Sequence, residues 1–338
     1  LANIDQDKFE LFAYSSSPIN DSLSDRIKPF FFKWRPIHWE EDLTVADLVH
    51  SDGINILVDL SGHTANNRLP VFAYKAAPLQ VTWLGYFSTT GLKEIDYLIG
   101  DPYVTPEELD NNFSEKVWRL PETRWCFTPP NIEIEPSSLP ANKNGYITFA
   151  CFNNLSKITD SVIKIWAEIL HRVNDSRVLL KSKQFGDETA IESTIKRFSS
   201  HGISQDRIIL EGWESRAQYL ATYNKIDIVL DPFPFTGGTT SIEGLWMGAP
   251  FLTLCGNSLV SRQGVSLLKN INLDEWIASD KYDYIEKAIR FSSDFKSLES
   301  LRFSLRDKVM SSPLFDASRF AKHLENAFTE MWSIYLRK

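Results

Sequence analysis

The sequence predicts an α/β protein of two Rossmann-like, doubly wound domains, and three observations carry that expectation. Short runs of strand type alternate with segments of helical periodicity along most of the 338 residues, the pattern of parallel strands joined by crossover helices. A stretch rich in Pro, Asn and Ser, Thr128–Gly145 (TPPNIEIEPSSLPANKNG), breaks that rhythm and reads as a boundary. Finally, Ile226–Leu230 runs into DPFPFTGGTTSIEGLWMG: a strand ending at two prolines, a Gly-Gly turn, and a helix starting at Thr239 or Thr240.

The expected strands, in order, are Phe9–Tyr14, Ile54–Leu60, Gln80–Leu84, Tyr146–Phe152, Arg177–Leu180, Arg207–Leu210, Ile226–Leu230 and Phe251–Leu254. Apolar residues at i, i+3 and i+4 predict helices over Val162–Val173, Thr189–Phe198, Arg216–Tyr223 and Ile242–Trp246. From Tyr282 onward the chain reads as consecutive helices with charged faces. These elements divide into a first domain over 1–130, a linker over 131–145 and a second domain with the terminal helices over 146–338. Two such domains facing each other leave a cleft at the carboxyl ends of their strands.

Composition narrows the function. The chain is 43% hydrophobic, and 36 Lys+Arg against 44 Asp+Glu give a formal charge of −8. Without a basic stripe, nucleic acid is disfavoured as a partner. No apolar run approaches ~20 residues, so no membrane span is expected. The start, LANIDQDKFELF, lacks the pattern of a signal peptide. Cys126, Cys151 and Cys255 are odd in number and widely spaced, which fits neither a zinc nor a disulfide framework and points to the cytoplasm. Asp5 and Asp7 form the one Asp-x-Asp, and the six His lack ligand spacing, so no metal site is expected. Gly-x-Gly-x-x-Gly, Gly-x-Ser-x-Gly and the P-loop pattern are all absent.

Four stretches carry candidate chemistry. A helix N-terminus offers free N–H groups and partial positive charge. Gly237 and Gly238 let the backbone approach a ligand, while Thr239 and Thr240 add hydroxyls and can cap the helix. A diphosphate suits that turn; the alternative is a capped strand–helix junction with no ligand. Glu243, further into the helix, would repel phosphate but suits a ribose diol; otherwise it complements the helix dipole. CFNNLSKI, Cys151–Ile158, places Lys157 on a strand-to-helix loop where it meets a phosphate oxygen, or is simply solvated. Asp59–Thr64 (DLSGHT) and Trp83–Gly91 (WLGYFSTTG) end two strands of the first domain, where a sugar or second substrate fits. His63 is a candidate acid–base group or hydrogen-bonding anchor, with a structural role as the alternative. His50 reads as a helix C-terminal cation.

Together with RLPVFAYKAAPLQVTWLGYFSTTG, DYLIGDP, SEKVWRLP, SRQGVSLL and SPLFD, these stretches follow the order seen in O-linked N-acetylglucosamine transferases of the SPINDLY type. The chain resembles that family from about Lys8 to Tyr335. The resemblance implies a GT-B glycosyltransferase that moves N-acetylglucosamine from UDP-N-acetylglucosamine to Ser or Thr of proteins. It further implies inversion at the anomeric carbon, no metal and no cofactor beyond the UDP-sugar donor. Residue by residue, it assigns Asn154 to uracil or ribose and Lys157 to the diphosphate and the departing UDP. It assigns Gly238, Thr239 and Thr240 to the β-phosphate, Glu243 to the ribose, and Leu84 and Gly85 to the donor sugar. Tyr219 and Thr222 stand where many relatives show His and Arg against the nucleotide, and Arg216 retains part of that role.

The resemblance also implies a first strand and a His-Pro motif upstream of KFELFAY, and tetratricopeptide repeats that recruit protein acceptors. None of these is in the sequence, which starts at Leu1. The first domain is therefore expected to be truncated at its N-terminus, with the donor half complete and transfer by this fragment weak or absent. Two rivals stand beside this reading: the same fold with GDP-fucose as donor for protein O-fucosylation, and a non-catalytic remnant that binds nucleotide or a partner.

Overall fold

A computed structural model describes residues 1–338 as two compact units, Leu1–Cys126 with Asp316–Lys338, and Phe127–Phe315. In the first unit, β1 (Phe12–Ser15) pairs in parallel with β2 (Lys33–Pro36). A separate parallel sheet runs in the order β3-β4-β5-β6, formed by Ile56–Asp59, Leu79–Thr82, Tyr97–Gly100 and Lys116–Arg119. β4 and β5 are buried at every position, as parallel strands covered on both faces are. The side-chain nitrogen of buried Gln80 donates to the Phe72 and Glu94 carbonyls at 2.9 and 2.8 Å.

The second unit holds six parallel strands: β7 (Thr148–Cys151), β8 (Arg177–Lys181), β9 (Ile208–Glu211), β10 (Ile228–Leu230), β11 (Phe251–Leu254) and β12 (Ile277–Ala278). Their order, β12-β11-β10-β7-β8-β9, is that of a dinucleotide-binding fold. Crossovers from β7 leave toward β8, and those from β10 leave toward β11. The loops after β7 and β10 therefore diverge at a topological switch point, where such sheets bind ligands.

All eight expected strands are present, Phe251–Leu254 with the expected bounds and the others with shifted ends, and β2, β5, β6 and β12 are additional. β2 is four residues, KWRP, and β12 only two. The four expected helices appear as Asp160–Arg172, Glu188–Ser199, Arg216–Ala221 and Thr239–Trp246.

The expected domain limits need two corrections. The expected linker, 131–145, is part of the second unit. Leu139 and Ala141 are buried, the Ala141 amide donates to the Asp227 carboxylate at 2.9 Å, and the Ser137 carbonyl accepts from the Arg302 guanidinium at 2.9 Å. The last helix, Ala317–Tyr335, belongs to the first unit rather than the second. Phe320, Leu324, Ala327 and Met331 form one helical face and pack on Leu79, Val81, Tyr97 and Ile99 of β4 and β5, with Trp83 stacked on Phe320 at 5.6 Å between ring centroids.

Candidate active site

The second unit gathers most of the expected site at its switch point. After β7, the Asn154 side chain caps a short 3-10 turn, Leu155–Lys157, accepting from the Ser156 amide at 2.9 Å. That turn swings Lys157 toward the loop after β10. Its ammonium donates to Asn153 Oδ1 and to the Thr236 carbonyl, both at 3.0 Å, and lies 3.9 Å from the centroid of the Phe235 ring. One lysine thus ties the two switch-point loops together. Burial lowers its pKa from the ordinary lysine value, with Asp231 and Cys151 acting in the opposite sense.

The helix after the Gly-Gly turn begins at Thr239, with Gly238 as its N-cap and no side-chain cap. Thr239 and Thr240 therefore do not cap the helix, contrary to one sequence expectation. The amides of Gly238, Thr239 and Thr240 meet no acceptor within the protein. Donors left open at a helix start form an anion site.

Glu243 lies on the same helix and is buried, 4% exposed. Its carboxylate accepts from Arg216 at 2.5 Å, so it faces away from simple dipole complementation and is paired. Arg216 opens a helix whose start is fixed by a capping box of Ser215 and Gln218. Burial opposes the charge on Arg216, but the Glu243 contact prevails and raises its pKa above the ordinary value.

Beside this pair lies a pocket of about 500 Å³ whose lining includes Phe152, Asn154, Gln184, Trp213, Glu214, Arg216 and Tyr219. Its aromatic wall is ordered. Phe152 stacks on Tyr223 with centroids 3.9 Å apart and planes at 11°, and Tyr219 meets Phe152 edge-on at 5.7 Å. Tyr223 in turn donates to the Thr240 carbonyl at 2.8 Å, linking the pocket wall to the helix start. At the pocket's polar end, buried Lys181 donates to Glu214 at 2.6 Å and Glu211 at 3.0 Å. Thr222 is buried, gives its hydroxyl to the Gln218 carbonyl at 3.1 Å, and does not line the pocket.

Asn154, Lys157, Arg216, Tyr219, Gly238, Thr239, Thr240 and Glu243 thus converge within one unit. The sequence reading missed Phe152, Tyr223, Lys181, Glu214 and Asp231. The signal for Asp231 was its place as first residue of the Pro-rich turn; the others gave none, because their roles depend on which strands are neighbours. Among His, Cys, Asp and Glu, no group of three or more converges as a metal-binding cluster.

His63, Leu84 and Gly85 form a second group, in the first unit. Asp59 at the end of β3 accepts from the Ser61 and Gly62 amides at 3.0–3.1 Å and from the Thr82 hydroxyl at 2.8 Å, which locks the loops after β3 and β4 together. A side chain on Gly85 would stand 2.3 Å from the Ser61 carbonyl carbon, so only glycine permits that contact. Leu84 adopts a left-handed backbone with φ 64°. The His63 ring is exposed; its Nε2 lies 3.1 Å from the Thr89 carbonyl, and it meets Tyr86 edge-on.

Comparison with known proteins accords with this geometry. Residues 2–127 and 137–324 match glycosyl transferase family 41. Tomato "Probable UDP-N-acetylglucosamine–peptide N-acetylglucosaminyltransferase SPINDLY" is 37% identical over 99% of this chain, and the Arabidopsis thaliana protein of the same name is 35% identical over all of it. The chain spans 36–37% of the length of these relatives. A solved mutant of the Thermobaculum terrenum O-GlcNAc transferase superposes with a TM-score of 0.94 at 34% identity, covering 99% of this chain and 64% of that one. Anabaena HepE, solved with UDP and glucose, shares the fold at a TM-score of 0.61 and 11% identity, covering 95% of this chain and 98% of that one. The motif order, the strand order and the matched span agree: the chain belongs to glycosyl transferase family 41 and has its GT-B fold.

Proposed function

We propose that this chain is the catalytic region of a protein O-GlcNAc transferase, moving N-acetylglucosamine from UDP-N-acetylglucosamine to Ser or Thr hydroxyls of proteins. The observation that carries the reading is Lys157 bridging the two switch-point loops beside the open amides of Gly238, Thr239 and Thr240. A diphosphate seated there receives three backbone donors and one ammonium. The acceptor hydroxyl attacks the anomeric carbon from the face opposite the departing group and gives its proton to water, so configuration inverts. The C–O bond to UDP breaks, UDP leaves with the electron pair, and Lys157 stabilises the charge that grows on it. That role needs no metal and no further cofactor.

In this reading the pocket takes the base between Tyr219 and its polar end, with Asn154 and Arg216 at its rim, and Glu243 takes the ribose hydroxyls. Leu84 and Gly85 lie along the donor sugar, and His63 serves as an acid–base or anchoring group. The names of the relatives support both donor and acceptor class. Protein acceptors, upstream tetratricopeptide repeats in the full-length protein, and a cytoplasmic setting belong to the same proposal. The three cysteines are free, and no helix is long and apolar enough to cross a membrane.

A guanine donor such as GDP-fucose is the second reading, favoured by Glu214 on the pocket lining. Uracil offers a carboxylate one ring N–H, whereas guanine offers a ring N–H and an amino group. Calorimetry with UDP, UDP-N-acetylglucosamine and GDP tests both. The first reading expects GDP to bind at least about tenfold more weakly, about 1.4 kcal/mol. Tighter GDP binding replaces the donor, and no binding of any nucleotide discards the enzyme reading.

A further inference from the structure

Asp231 directly follows β10, is the first residue of the turn that leads to the open helix, and is fully buried. Its Oδ1 accepts from the Gly237 amide at 2.6 Å, and its Oδ2 accepts from the Thr253 hydroxyl on β11 at 2.8 Å. Its carbonyl accepts from Tyr284 at 3.0 Å. Two glycines make room for the carboxylate: a side chain on Gly237 would stand 3.0 Å from Oδ1, and one on Gly264 would stand 2.8 Å from Oδ2. Gly237 directly precedes the three open amides, so whatever holds Gly237 sets their direction.

The groups facing the carboxylate are few. Lys157 acts on it from the loop after β7, Cys151 stands at the end of β7, and Tyr284 comes from the helix Lys281–Ser293. β11 and the helix Gln263–Asn270 present the uncharged Thr253 and Gly264. Burial pushes the Cys151 thiol up to about 12 and the Tyr284 phenol well above its ordinary value, so both are neutral. Lys157 is the one charge opposite Asp231.

We infer that Asp231 is a positioning residue for the donor diphosphate: it aims the amides of Gly238, Thr239 and Thr240 through Gly237, and it takes up a proton when the diphosphate binds. The inference rests on the donor reading above. Its electrostatic basis is that an anion arriving at the same turn disfavours a second negative charge and takes Lys157 for itself. Burial already pushes the Asp231 carboxyl up to about 6, against the opposing hydrogen bonds from Gly237 and Thr253 and the charge of Lys157. A bound anion raises it further, so donor and proton bind together. Affinity therefore increases as pH falls through the range just above 6.

The test is calorimetry with UDP-N-acetylglucosamine, whose doubly esterified diphosphate does not titrate between about pH 5 and 8. It is run in buffers of different ionisation enthalpy, on the wild type, Asp231→Asn and Thr253→Val. The wild type should take up part of a proton near pH 6.5. Its Kd should weaken between pH 5 and 8 by about tenfold for each unit by which the anion raises the carboxyl pKa. Asp231→Asn, an isostere of the protonated acid, should abolish the uptake and bind at pH 8 as the wild type does at pH 5. Thr253→Val removes a donor to the ionised carboxylate and should move the uptake to higher pH. A merely structural aspartate would change affinity without changing proton uptake. Binding by the wild type with no uptake, or uptake that persists in Asp231→Asn, overturns the inference alone; the wild-type measurement stands even if a variant does not fold. A chain that binds no UDP-sugar at any pH overturns the donor reading and this inference with it.

Discussion

Replacing Lys157 by methionine removes the ammonium while keeping a stem that can lie on the Phe235 ring. The wild-type Nζ is held by Asn153 and the Thr236 carbonyl at 3.0 Å each, so it is preorganised before any ligand arrives. Losing a preorganised donor aimed at developing charge costs about 10²–10³ in kcat, roughly 2.7–4 kcal/mol of transition-state stabilisation. The KM for donor should rise less, because the amides of Gly238, Thr239 and Thr240 still hold the ground-state diphosphate. The variant also leaves the Thr236 carbonyl without its donor, worth about 1–3 kcal/mol, and Asn153 Oδ1 with only the Thr240 hydroxyl at 3.5 Å, so its Tm should fall. The assay is steady-state turnover at varied donor, well below that Tm, in a form of the protein that transfers sugar. A folded variant with kcat within about threefold of wild type at saturating donor would refute the leaving-group role of Lys157.

Three further outcomes are expected. Glu243→Ala should weaken UDP binding by roughly 1.5–3 kcal/mol yet leave a 2′,3′-dideoxy analogue nearly unaffected; equal losses by calorimetry would mean that Glu243 serves only to hold Arg216. Asp227, which accepts from the Ala141 and Thr148 amides at 2.9 and 2.8 Å, has its carboxyl pushed up from 3.8 to about 6, chiefly by burial. A raised folded-state pKa gives stability that is full below the unfolded value and is lost as pH rises through the folded one. Asp227 should thus contribute a decline of up to about 3 kcal/mol between about pH 4 and 6, and urea titrations should show Asp227→Asn losing less stability than the wild type across that range. Arg302 is buried and donates to the carbonyls of Ser137, Ile226 and Tyr223 at 2.9 Å each. Arg302→Met should cost about 3–5 kcal/mol in urea unfolding, and a loss below about 1 kcal/mol would show that water replaces it.

The parts of the site read from sequence are those whose chemistry is local. Gly237-Gly238 before a helical period announces an open helix start, and a lysine just past a strand announces a cation at a strand's carboxyl end. The α/β alternation is likewise local, because period and turn residues can be counted.

The tertiary structure decided which surfaces meet. Nothing local distinguishes Phe320, Leu324, Ala327 and Met331 from the apolar face of a helix belonging to the second unit. Their partners, Leu79, Val81, Tyr97 and Ile99, lie more than two hundred residues upstream, and only packing selects them. The Pro-rich stretch before Gly145 reads as a linker until Asp227 and Arg302, far along the chain, take its backbone groups. Strand order placed Lys157 beside Thr236 and made Asp231 the holder of Gly237. The sequence by itself determined the chemical groups and the ends of the elements that carry them. The fold decided their pairing, because hydrogen bonds and burial between distant segments depend on sheet order and leave no periodic trace in the chain.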